Sequence, residues 1–149
     1  MYKSGMLELA REVVRLLEEE ARQPLGAGWA ELRIEEDELG PTVFLEPMKI
    51  EAAPLEIYFD SEELAVCSPG RHGMVVEFFS DDQGEIKDLL RALAAAAVAG
   101  GYTERVSEGG AVTMAQWPGP DGPQRATRSG LGRPQPAGEA WREVTYDPY

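Results

Sequence analysis

Cys67 and His72 are the sole cysteine and the sole histidine of this 149-residue chain. A thiol close to an imidazole has the makings of a nucleophilic dyad, in which the imidazole lowers the thiol pKa and the thiolate attacks an acyl carbon. Such a dyad also needs a group that orients the imidazole and donors for an oxyanion. The surrounding stretch, "AVCSPGRHGMVVEFF" from Ala65 to Phe79, holds no local signature of either. A β-hairpin accounts for the same residues without chemistry. Pro69 and Gly70 suit the two central positions of a type II turn. Leu64 and Val66 before the turn, and Met74, Val76 and Phe78 after it, direct apolar side chains to one face. In that reading Cys67 is a small buried hydrophobe, and Arg71 and His72 sit at an exposed tip where they could contact a partner. The hairpin is the preferred reading.

Other catalytic signals are sparse. The chain has no phosphate-binding glycine loop, no paired-histidine zinc motif and no Gly-x-Ser-x-Gly elbow. "GAG" at 26–28 follows a helical pattern rather than a strand, so it is not a dinucleotide fingerprint. No cofactor is expected. A hydrolase built on two carboxylates stays open, but with 27 acidic residues finding a pair carries no information.

The charge says more. The chain has 14 Lys and Arg against 27 Asp and Glu, a formal net charge of −13. Residues 1–102 hold 9 basic and 21 acidic side chains, and residues 103–149 hold 5 and 6. The first part should be repelled by nucleic acid and by anionic membrane surfaces, whose binding depends on cationic side chains. A basic protein should be attracted. Solubility alone is the competing explanation. No apolar run approaches the ~20 residues of a membrane span, and the opening "MYKSGMLELAREVV" reads as neither a secretory signal nor a transit peptide. A single cysteine excludes an internal disulfide. A cytoplasmic protein is expected.

The elements that would position these residues follow from periodicity. Met6, Leu9, Val13, Leu17 and Ala21 recur at helical spacing, which predicts a helix from Ser4 to Gln23. Strand-like runs follow at Trp29–Glu35, Thr42–Glu46, Leu55–Phe59, Leu64–Ser68 and Met74–Phe79. Their short links favour an antiparallel meander, since parallel pairs need long crossovers. "SDDQ" predicts a capping box, with Ser80 as the cap of a second helix and Gln83 reaching back. Ile86, Leu89, Leu90, Leu93, Ala94, Ala97 and Val98 form that helix's apolar side, and Gly100 and Gly101 end it. "YTERV" and "AVTMAQW" fit a hairpin over "SEGG", "PGPDGP" is a turn, and "QRATR" fits one more strand. The expected architecture is α+β, with one mostly antiparallel sheet, two helices and an α-β5-α-β2/3 order. A single domain covers 1–128. A Gly/Pro-rich loop at 129–138 then precedes an aromatic segment with Trp141, Val144, Tyr146 and Tyr149 that should dock back on the domain.

In a meander, alternate turns share an end. The turn after the first strand, the turn after the third and the finish of the fifth carry Glu36, Asp37, Glu38, Asp60, Glu62, Glu63, Asp81, Asp82 and Glu85. These nine acids are expected at one rim, with Lys49, Arg71 and His72 at the opposite end. Solvated turns explain such acids without function. A calcium site would need ordered oxygen ligands, and the EF-hand spacing is missing. An electrostatic docking face for a basic protein is the functional reading preferred here.

An amphipathic helix, a Gly-x-Gly-Trp entry (Gly26 to Trp29) to the first strand, an acidic meander, a second helix and further strands together resemble small bacterial immunity proteins. The resemblance rests on organisation over roughly residues 4–117 and on acidity. It implies a non-enzymatic inhibitor that neutralises a basic toxin by covering its active site, and it assigns no residue a role. The outline is also similar to acidic secretion chaperones, although five strands between the helices depart from their usual three. A third reading is a small hydrolase or transferase using Cys67 or a carboxylate pair. Leu39 and Phe44 are candidate apolar anchors for a partner.

Overall fold

The computed structural model describes residues 4–22, 30–109, 112–129 and 140–149. Helix α1 spans Ser4–Arg22. It buries Met6, Leu9, Ala10, Val13 and Leu17, the stripe that three- and four-residue spacing lays along one side. Five strands follow: β1 Ala30–Glu36, β2 Pro41–Pro47, β3 Leu55–Ser61, β4 Leu64–Pro69 and β5 Val76–Phe79. They pair in sequence order as an antiparallel meander. Helix α2, Gln83–Ala99, comes next. Strands β6 Thr103–Ser107, β7 Val112–Gly119, β8 Gly122–Ser129 and β9 Trp141–Thr145 form a second antiparallel sheet in the order β8-β7-β6-β9. The α+β class with a meander sheet is therefore as expected.

Several details differ from expectation. The last strands form their own sheet rather than extending the first. There are four of them, because β9 pairs with β6 rather than with its sequence neighbour β8. Local alternation cannot reveal a pairing that joins Thr103 to Thr145. One helix serves both sheets: α2 packs on β5 and on β7. The Phe78 and Trp117 rings meet edge to face at 6.4 Å across the same junction.

The inner face of the first sheet is the core. Val43, Leu45, Leu55, Ile57, Phe59, Ala65 and Cys67 are at most 1% exposed beneath the helices. The sidedness of β4 is the reverse of the one expected. Ala65 and Cys67 face inward and Leu64 and Val66 face outward. Cys67 lies opposite Ile57 and Val76 in the ladder. The small side chains occupy the crowded side, where the helices approach, and the larger ones take the open side.

The start of α2 also differs. Its cap is Asp82, whose carboxylate accepts from the Gly84 amide at 2.9 Å. Ser80, two residues earlier, uses its hydroxyl to accept from the Asp82 amide at 3.0 Å and to donate to Glu85 at 3.2 Å. Both residue types cap well, so which one ends the extended segment is decided by β5 and its bond from the Ser80 amide to the Glu63 carbonyl, 2.9 Å. The expected glycine stop holds at Gly100. It is left-handed, with φ 77°, and its amide turns back to the carbonyls of Ala96 and Ala97. Of the Gly/Pro-rich segment expected at 129–138, 130–138 lies outside the described residues.

Candidate interaction surface

Sidedness puts Cys67 on the core face of β4. Cys67 is fully buried among apolar side chains, and burial pushes its thiol pKa up, away from the reactive range. His72 is exposed in the turn that follows β4. That turn is held by the far end of the chain. Gly70 has φ 72° and packs against Tyr146, Glu104 and Tyr102. The Arg71 amide donates to the Tyr146 hydroxyl at 2.9 Å, and the Tyr146 hydroxyl donates to Glu104. Tyr102 donates to the other oxygen of the same carboxylate at 3.0 Å. Glu104 is 2% exposed, so both its oxygens are satisfied without water. Burial and the neighbouring Glu104 carboxylate push both phenol pKa values up.

The cationic end is similarly occupied. The Arg71 guanidinium donates to the Ala52 carbonyl at 3.3 Å and the Lys49 ammonium to the Pro148 carbonyl at 3.3 Å. Tyr149 donates to the Ala53 carbonyl, and Ala52 bridges to Asp147. The stretch from Tyr146 to Tyr149 thus lies across this end of the meander.

At the opposite end the topology assembles the β1–β2 turn, the β3–β4 turn and the lead from β5 into α2. All nine acids named from the sequence lie in or beside these three segments, but four have local structural work. Asp37 accepts from the amides of Leu39 and Gly40 at 2.7 and 3.1 Å. Asp82 caps α2 and Glu85 accepts from Ser80. The Glu62 carboxylate lies against Gly5, in the first turn of α1, where the helix dipole favours an anion. Glu36 closes β1 opposite Pro41. Glu38, Asp60, Glu63 and Asp81 project to solvent. Two large apolar side chains stand among them, Leu39 at 72% and Phe79 at 71% exposure.

A second set of residues was, apart from Phe44 and Asp60, not singled out from the sequence. The outer face of the first sheet carries Phe44, Tyr58, Val66, Leu64 and Phe79 from β2 to β5. Register places Tyr58 beside Val66 and Leu64 beside Phe79. Glu31, Glu35, Glu46, Glu56, Asp60 and Glu77 share this face. Arg33 is the one cation in these five strands. Its guanidinium sits 4.3 Å above the Phe44 ring and pairs with Glu35, Glu46 and Glu31 at 3.2, 3.3 and 3.8 Å. Phe44 is thus an outer-face residue, half-buried, and not part of the core. The signal available in the sequence was the other half of each strand's alternation. Those positions hold acids mixed with aromatics instead of the short polar residues of a plain solvated face.

Elsewhere, a concavity of about 390 Å³ lies on the second sheet among Thr103, Arg105, Met114, Gln116, Arg125 and Glu143. Arg105 is paired there with Glu143 at 3.1 Å. Among the described residues, no group of three or more His, Cys, Asp or Glu is arranged to hold a metal ion. No described helix is long and apolar enough to cross a membrane. Comparison with protein-family models, with curated proteins and with solved structures found no match in any of the three.

Proposed function

We propose that this chain is a non-enzymatic binding protein of the cytoplasm that captures a basic protein, acting as an immunity-type inhibitor that masks the working surface of a bacterial toxin. The observation that carries the reading is the grouping of Glu38, Asp60, Glu63 and Asp81 around the exposed Leu39 and Phe79. Carboxylates on one end of a strongly acidic molecule steer a cationic partner towards it and raise the association rate. Exposed apolar side chains at the same end then supply contacts that lower the dissociation rate. Burial of Cys67 weighs against the thiol-enzyme alternative.

The test begins with capture of partners from the native extract by the tagged protein, washed at low and then high salt. One basic protein held in near-equal amount supports the reading; a mixture of unfolded clients points to a secretion chaperone instead. The variant Glu38→Gln, Asp60→Asn, Glu63→Gln, Asp81→Asn avoids the four acids with structural roles. It should slow association with the captured partner at low salt and leave dissociation nearly unchanged. An unchanged association rate would remove the steering mechanism.

A further inference from the structure

Resting on that reading, we propose that the docking surface is the open outer face of the five-stranded sheet. Its occupant is an amphipathic helix of the protein partner, with an apolar ridge flanked by arginines. Both helices lie on the inner face: α1 contacts β1, β2 and β3, and α2 contacts β5. No described helix or strand covers the outer face. It is not an ordinary solvated face, because Phe44, Tyr58, Val66, Leu64 and Phe79 run across it as an apolar diagonal. That diagonal crosses three strand spacings, about 14 Å, which equals about nine residues of helix.

Charge selects the occupant. Six carboxylates fringe the diagonal and Arg33 is the one cation among strands β1 to β5. A second copy of this chain docking by the same face would set these acids against their equals, and close like charges repel. Nucleic acid and anionic lipid are repelled for the same reason. A cationic protein surface with an apolar centre is what complements an acidic fringe around an apolar strip.

Arg33 shows how the face receives a guanidinium. It is seated on an aromatic ring and held by carboxylates from its own strand and the next. Tyr58 repeats that composition one strand further along. Its ring is half-buried on the same face, its hydroxyl donates to the Leu39 carbonyl at 3.4 Å, and Asp60 and Asp37 flank it. Desolvation first, and then those two carboxylates, push its phenol pKa up. No basic side chain lies over Tyr58 among the described residues. An arginine from a partner would find both the ring and the anions there. Five strands of four to seven residues present roughly 500 Å², which the acidic end extends towards the roughly 800 Å² per partner of a stable complex.

The experiment uses the full ¹⁵N-labelled chain and two synthetic peptides of equal positive charge. One is an amphipathic helix of leucine and arginine; in the other every leucine is serine. The leucine–arginine peptide should bind at least about fivefold tighter and move the amide signals of Phe44, Tyr58, Val66 and Phe79. Phe79→Ser, at an exposed site where folding is not at risk, should remove most of that preference; Tyr58→Thr, a second strand-compatible change, should do the same. Equal affinities, or a preference untouched by both variants, would overturn the proposal. If the serine peptide alone then mapped to the acidic end, the face proposal would fail while the basic-partner reading stood. Failure of both peptides to bind at low salt would overturn both.

Discussion

The Arg71 backbone amide donates to the Tyr146 hydroxyl at 2.9 Å, across 75 residues of sequence. Through this bond a turn of the first sheet is tied to the segment leaving β9, and Tyr146 passes the connection on to the buried Glu104. The residues that first raised the prospect of chemistry, Cys67 and His72, flank a structural joint.

Tyr146→Phe tests that joint. It leaves the Arg71 amide without an acceptor and Glu104 with Tyr102 as its remaining phenol donor. A buried group left unsatisfied costs about 1–3 kcal/mol, and that loss is expected in urea unfolding. A Tyr146→Phe, Glu104→Gln pair should cost less than the sum of the single changes, because the two groups share one network. Strict additivity would show that the hydrogen bonds are not coupled.

Gly70 and Gly73 have nearly the same backbone conformation, φ 72° and 74°, in very different surroundings. An added Cβ at Gly73 meets nothing within 4 Å, whereas at Gly70 it falls 2.7 Å from the Tyr146 hydroxyl. Gly73→Ala should cost about 1 kcal/mol, the penalty of a left-handed L-residue. Gly70→Ala should cost clearly more, because the joint must also open. Similar melting temperatures for the two variants would contradict the docked turn.

Cys67 should resist alkylation in the native protein. Its thiol is enclosed and held in the protonated form by burial. Iodoacetamide labelling should follow opening of the structure and become fast only in denaturant. Rapid, pH-dependent labelling under native conditions would reinstate the thiol-enzyme alternative.

Alkaline pH should unfold the protein cooperatively. Tyr102, Tyr146 and Tyr149 all have phenol pKa values raised in the folded state, with desolvation the largest cause. A raised folded pKa gives stability that is complete below the unfolded tyrosine value of about 10 and is lost as pH climbs above it. Tyrosinate absorbance should therefore show three phenols ionising together with the loss of circular dichroism. Gradual ionisation of all five tyrosines with the fold intact would rule out this account.

The first sheet was readable in advance because its strands are sequence neighbours with short links, so alternation gave both the strands and their pairing. The common end of the acidic turns followed from meander order alone. Sidedness in β4 was not readable, since Leu64, Ala65, Val66 and Cys67 are all apolar and no period separates them. Asp82 displaced Ser80 as the cap because the two compete chemically and the β5 ladder decides between them. The pairing of β9 with β6, and the burial of Glu104, depend on contacts that local pattern does not record. The acids of the candidate surface were visible as types and positions. Which of them already serve a turn or a helix end was visible only in the fold.

The closure of the cationic end by residues 146–149 sets an order of events in time. Ala53 and Tyr149, joined by a hydrogen bond, are 96 residues apart. At the usual rates of synthesis, that interval takes roughly 5–20 s. Throughout it the Ala53 carbonyl is made while its partner is not, and the turn at Arg71, once made, waits 75 residues for Tyr146. The meander and α1 can pack during this interval, since their contacts are local. The acidic end is therefore complete early, and the opposite end is locked last.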